Sequence, residues 1–392
     1  MYGGHHDVQM SLKALFVFIY FLTISSVHAE DILPISSSTR ALGMGNAHYG
    51  LVDDMASLFY NPAGLARSRR FAVKFFGVGA GVGTDVIENV DNFQNLTDES
   101  GFASALNGLY GDKIFVNASG SAGITLPFMS AAVYNHTYVS AILNNPVYPE
   151  LPLRFVNDYG YAVGLGLPIF PFIHTGLTLK RIKRTGTDKV YKASSLSSLD
   201  PEVIKSDLTQ WGVGYAMDFG GNFCLDTPLL DVVLSGVWQN IGDTSFTSEG
   251  GSDIPTEKSS MGIGAAVLID LPLISVSPAL DITHLNRSDI QLMRKINFGV
   301  EVGLPLIDLR AGFQQGYYSL GAGFGFGPLL LEAASYGVEL GAYPGQIEDR
   351  RYMVELSLEL GIGSSSFGKS GSGGSSSSQK SLWGGKRLKQ RR

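Results

Sequence analysis

The run Tyr352-Met353-Val354-Glu355-Leu356-Ser357-Leu358-Glu359-Leu360 places apolar side chains at every even position and polar ones at Glu355, Ser357 and Glu359. Successive side chains of a strand point to opposite faces, so this stretch is a strand with one apolar and one polar face. The same period recurs upstream. Ile296, Phe298, Val300 and Val302 alternate with Asn297, Gly299, Glu301 and Gly303. Trp211, Val213, Tyr215, Met217 and Phe219 alternate with Gly212, Gly214, Ala216 and Asp218. Glycine keeps that register at Gly77, Gly79, Gly81 and Gly83 and again at Gly321, Gly323, Gly325 and Gly327, and no such run completes GxGxxG before a helical pattern. A dinucleotide loop is excluded.

Extending the pattern outward gives fourteen strands, near 70–79, 113–124, 128–141, 154–167, 172–184, 209–221, 229–240, 258–269, 273–284, 293–304, 306–315, 318–327, 328–338 and 351–361. Their connections alternate in length. Short turns marked by Pro127, Pro168 with Pro171, Pro228, Pro272, Pro305 and Pro328 follow even-numbered strands, whereas longer polar segments follow most odd-numbered ones. Short turns at one rim and long loops at the other characterise an outer-membrane barrel, and proline is expected to be confined to the turns. Gly316-Tyr317 is the exception, short where a long loop is due. A soluble sandwich would not predict this alternation of loop lengths. The expected fold is all-β, a transmembrane antiparallel β-barrel of about fourteen strands.

Composition agrees. Charged residues are 16% of the 392, against roughly 25% in soluble domains, and 49 are glycine. The apolar run near 14–22 falls short of the ~20 residues of a spanning helix, so helical membrane proteins are excluded. From Met10, a lone Lys13, an apolar stretch and Val27-His28-Ala29 read as a secretory signal cut after Ala29; Met1 and Met10 are alternative starts. Residues 364–392 form a Gly/Ser-rich tail with seven Lys or Arg and no acid, expected to be disordered. Setting that tail and residues 1–29 aside leaves 21 basic and 34 acidic residues, a net charge of −13. Export disfavours a nucleic-acid partner. The lone Cys224 provides no internal disulfide.

The segment Ser38 to Ala66 carries Arg40-Ala41-Leu42-Gly43-Met44-Gly45, then Asp53-Asp54, then Asn61-Pro62-Ala63-Gly64-Leu65. It resembles the start of the FadL-type outer-membrane transporters, a superfamily that includes PorV-like barrels. The resemblance implies a plug inside a fourteen-stranded barrel, with the chain divided into a signal (1–29), plug (30–69), barrel (70–363) and tail (364–392). Residue chemistry fits a tight non-strand element: Gly43 and Gly45 permit close backbone approach, Asp53 and Asp54 can cap a short helix, and Asn61-Pro62 starts a turn. Asn61, Pro62, Ala63, Gly64, Gly43, Gly45, Asp53 and Asp54 are therefore the expected plug or gating residues. The body is shorter than the resemblance leads one to expect, and the chain continues past the last strand.

Alternation turns Asp218, Asp281, Glu301, Asp308, Glu332, Glu355 and Glu359 inward, with Lys74, Lys180 and Arg310 as basic partners. Lumenal ion pairs are the expected use; a polar path is the alternative, and nothing fixes a two-carboxylate hydrolase. His48, His136, His174 and His284 are scattered, and neither HExxH nor a nucleophile-elbow serine occurs. No enzyme, cofactor or metal is expected. The resemblance implies passive uptake of small hydrophobic, fatty-acid-like molecules in the outer membrane of a Gram-negative bacterium. The alternative is a PorV-like or conjugation-associated barrel that binds or escorts proteins. Expected partners are outer-membrane lipid, a hydrophobic small molecule and the assembly machinery, with the barrel acting as a monomer.

Overall fold

The computed structural model describes residues 38–90, 108, 110–142, 150–192, 201–227, 230–248, 254–271 and 273–365. The expected signal, residues 30–37 of the expected plug and the tail beyond Ser365 lie outside them. Fourteen antiparallel strands close a barrel in which each strand pairs with its sequence neighbours and β1 with β14. They are β1 Ser68–Gly83, β2 Lys113–Leu126, β3 Met129–Ile142, β4 Glu150–Phe170, β5 Ile173–Lys192, β6 Trp211–Asp226, β7 Asp231–Gln239, β8 Ser260–Leu271, β9 Ile274–Ile282, β10 Ile296–Gly303, β11 Ile307–Gln314, β12 Tyr317–Phe326, β13 Leu329–Glu339 and β14 Glu348–Ser365. Every expected strand is present; the expected 70–363 barrel gains two residues at each end.

The outside carries the apolar set. Phe71, Leu165, Leu179, Leu234, Phe298 and Leu309 all stand exposed there, and their inward neighbours are buried. Such an outward band is the surface a membrane-spanning barrel presents to lipid. Aromatic residues edge it at both rims: Tyr159, Tyr161, Trp211, Tyr318 and Tyr352 toward the long loops, Phe71, Phe170, Phe223 and Phe326 toward the short turns. The start of β1 and the end of β14 share the short-turn rim, since Ser68 pairs with Ser365.

Proline is less confined to the turns than its missing N–H predicts. Pro152 and Pro168 lie within β4 and Pro278 within β9. Pro278 keeps its pairing with Val300 of β10, but the ladder to β8 is interrupted between Ala266–Ala279 and Ile269–Val276. An antiparallel residue bonds one neighbour only, so a proline costs one side of the ladder and leaves the strand in place. The short exception is explained by turn chemistry: Gln315 and Gly316 both have positive φ, 50° and 98°, as a two-residue hairpin turn demands. Pro344, from the next long loop, packs over Gly316.

Candidate functional site

Residues 38–67 lie inside the barrel as the helix Thr39–Gly43 and two 3-10 turns, Met55–Leu58 and Pro62–Arg67, before the chain enters β1. Each turn starts where its residues dictate. The Asp54 carboxylate accepts from the Ala56 N–H at 2.7 Å, and the Asn61 side-chain oxygen accepts from the Ala63 N–H at 3.1 Å, with Pro62 in the first turn. Asp53 is buried beside Asp54 without capping the turn itself.

The plug sits against inward glycines of the wall. A side chain at Gly299 or Gly312 would overlap the Met44 backbone, one at Gly176 the Pro62 backbone, and one at Gly166 the Ala66 backbone. Gly43 faces Gly321, and a Cβ on Gly43 would come within 2.9 Å of the Gly321 Cα. Gly45, at φ +61°, lies against the Phe298 and Phe313 backbone, so the position is closed to larger residues by both space and conformation. Gly64 packs on Val52 and Ser57 within the plug, and Ala63 is fully buried.

Polar anchors complete the seat. Arg40 grips Glu301 through two bonds of 2.8 and 2.7 Å; Arg310 donates to the same Glu301 at 2.7 Å and to Glu332 at 2.9 Å. Asp281 accepts from the backbone N–H groups of His48 and of Tyr49, the latter at 2.8 Å. Asn61 donates to the Tyr49 carbonyl at 2.9 Å and to Asn222 of β6 at 2.8 Å. Gln239 of β7 donates to the Phe59 carbonyl at 2.7 Å and the Tyr60 carbonyl at 3.1 Å. Within the plug, Arg67 bonds the Gly50 and Val52 carbonyls. His48 stacks edge-on against Tyr60; burial, and then the Arg40 charge, bring its pKa down to about 3, so it stays neutral.

The remaining expected lumenal groups lie elsewhere on the wall. Lys180 meets Asp218 at 2.7 Å, Lys74 meets Glu355 at 3.1 Å, Arg70 meets Glu359 at 3.2 Å, and Asp308 is buried on β11. Among the expected carboxylates, Glu301 and Glu332 share Arg310, while Asp218, Glu355 and Glu359 each meet a cation of their own; the Glu301 and Asp281 groups hold the plug. The histidines are dispersed: His136 bonds Asn117, His174 lies 3.5 Å from the Cys224 sulfur, and His284 bonds Ser260. No group of metal-ligating side chains occurs among the described residues.

The wall of β1, β2, β3 and β14 differs. Gly79 and Gly81 face Ser119, Asn117 and Met353, all wall residues, and Ser119, Ser121 and Gly123 remain partly exposed on the inner face. Above this strip, toward the long loops, Phe115 and Tyr138 stack at 5.5 Å beneath Arg351, which Asp349 neutralises at 2.7 Å. Met353 packs with Leu42, Ala334, Tyr336 and Val338. Met55 and the Phe59–Tyr134 pair, 4.9 Å between rings, close its plug side. Sequence reasoning missed Arg67, Gln239, Asn222 and the Arg351 group. Inward parity with Val237 and Gly220 marks Gln239 and Asn222, but no sequence signal marks Arg67.

No family model and no curated protein matches the chain. Solved barrels are similar in form. They include the toluene transporter TbuX of Ralstonia pickettii (8% identity, 85% of this chain and 98% of that one, TM-score 0.44) and the toluene transporter TodX of Pseudomonas putida (10%, 87% and 100%, 0.45). The CymD monoaromatic hydrocarbon channel is also similar (11%, 83% and 97%, 0.46). Identities and scores this low mark a distant likeness.

Proposed function

We propose that the chain is an outer-membrane barrel for passive entry of small hydrophobic molecules, reached in a Gram-negative bacterium after signal cleavage near Ala29. The observation that carries this is the one-sided plug. Its hydrogen bonds to the wall reach β6, β7, β9 and β10, whereas β2, β3 and β14 meet it through Met55, the Phe59–Tyr134 pair and Leu42, and Ser119, Ser121 and Gly123 of β2 stay partly exposed. The small residues Ser119, Ser121 and Gly123 leave room there for a solute to pass between plug and wall. Asn61 and Pro62 are the proposed gate because they tie the last turn of the plug to β6.

The test is entry of a long-chain fatty acid and of a monoaromatic hydrocarbon into Gram-negative cells that lack their own carriers. Cells carrying the barrel should take up at least one faster than cells carrying an empty vector. Equal rates, with the barrel present and heat-modifiable on unboiled gels, would leave the escort reading. One observation favours that second reading: every neighbouring pair of strands is hydrogen-bonded around the closed wall.

A further inference from the structure

The outer face of β4, β5 and β6 carries two cations where a lipid-facing wall should carry none. Arg181 and Lys183 are exposed on β5, on the same face as Leu177 and Leu179, and neither has a carboxylate partner among the described residues. Register places aromatic groups around them. Tyr161 lies opposite Arg181 and Tyr159 opposite Lys183 on β4, while Tyr215 lies opposite Arg181 on β6. The Lys183 ammonium stands 4.2 Å over the Trp211 ring, and the two β4 hydroxyls hydrogen-bond each other at 3.2 Å.

The height of this cluster fixes what it meets. From Tyr161 to Phe170 the outward face of β4 runs through Val163, Leu165, Leu167 and Ile169, all exposed. Nine steps of about 3.3 Å, tilted by about 40°, span roughly 23 Å, close to the apolar band of about 25 Å in such barrels. Arg181 and Lys183 therefore stand at the headgroup level of the leaflet on the long-loop side. Uncompensated charge would be costly below that level, whereas at it both cations face phosphate.

We propose that this patch is a binding site for the phosphate groups of the phosphorylated glycolipid of the outer leaflet, lipid A. Arg181 and Lys183 supply the charge, the Tyr159 and Tyr161 hydroxyls donate to phosphate or sugar oxygens, and Trp211 orients Lys183. Beside them the outward amide of Asn157 bonds Asn135 and Thr137, extending the polar edge that a sugar headgroup requires. The site does not depend on whether the lumen conducts.

The full mature chain, purified in non-ionic detergent, is titrated with bisphosphorylated lipid A, with its dephosphorylated form and with phosphatidylglycerol, using native mass spectrometry. Bisphosphorylated lipid A should bind more tightly than either of the others. Arg181→Gln and Lys183→Gln should each weaken it about five-fold, the equivalent of about 1 kcal/mol per surface cation. Arg181→Lys should retain most of the affinity, and Arg69→Gln at the opposite rim should change nothing. Trp211→Leu gives a milder loss and serves as a second variant if the charge variants fail to become heat-modifiable. Undiminished binding by the Arg181→Gln/Lys183→Gln double variant, or equal binding of phosphatidylglycerol, would overturn the proposal.

Discussion

Inward glycine does opposite things on the two sides of this barrel. On β4, β5, β10 and β11, Gly166, Gly176, Gly299 and Gly312 are places where plug backbone lies directly on wall backbone. On β1, Gly77, Gly79 and Gly81 face wall side chains, with Lys74 of the same strand, Ser119 of β2 and Met353 of β14 nearest. The first set fastens the plug; the second packs under wall side chains, beside the partly exposed Ser119, Ser121 and Gly123 of β2. Fastening is reinforced by buried charge: the Arg310 side chain is fully enclosed between Glu301 and Glu332, whereas the Lys74–Glu355 pair on the other side keeps some solvent contact. A plug can be fixed and still leave a lumen when its contacts are concentrated on one side.

The sharpest way to break this contrast is to remove the charge shared by two cations. Glu301→Gln leaves Arg40 and Arg310 facing each other in a dry site, and loss of one partner from a buried ion pair costs about 3–5 kcal/mol. The plug should then be cut at Arg40 or Arg67 by trypsin in a barrel that still migrates as folded. Glu355→Gln strands only Lys74, on a wall the plug does not bond to there, and should leave the plug protected.

Glycine substitutions come next. Gly312→Ala forces a methyl into the Met44 backbone, and overpacking of this kind costs about 1–3 kcal/mol. Gly79→Ala meets only the mobile end of Ser119 and of Met353, so its effect on plug release, followed by denaturant titration, should be less than half as large. Equal effects would erase the distinction between the two sides.

Asn61→Ala removes a cap and the bonds to Tyr49 and Asn222, at about 1–2 kcal/mol. With Pro62→Ala it should change solute entry while heat-modifiability is kept; unchanged entry would reduce the pair to scaffold.

The last effect is absent at neutral pH and builds up only in acid. His48 in the seated plug has a pKa of about 3, while in a released chain it takes up a proton near its ordinary 6.5. The released form therefore binds more protons between these values. Seating is at full strength above about pH 6.5 and weakens as the pH falls toward 3, by at most about 1.4 kcal/mol per unit. His48→Gln should flatten the His48 part of that slope in trypsin-protection curves.

Much of the barrel was legible because alternation is a local signal. The run Tyr352 to Leu360 states its own faces, and loop lengths state which rim is which. Pro278 was not legible as a strand residue, since its tolerance depends on which neighbour its nitrogen faces. The site was legible in part. Parity turned Glu301, Asp281 and Arg310 inward, but which of them touch the plug depends on how residues 38–67 fold, and nothing local encodes that. For the same reason Gly79 and Gly312 read alike in sequence. Arg181 and Lys183 obey the alternation by position and break it by chemistry, a mismatch that only depth in the membrane explains.

The central claim is that solute passes beside the plug, along β1, β2 and β14. Ser119→Trp fills that strip without touching the plug seat. In the cell-entry assay, with the variant shown to be heat-modifiable and its plug resistant to trypsin, uptake should fall at least about ten-fold below that of the wild-type barrel. Wild-type uptake with the indole in place would contradict the account and put the path elsewhere.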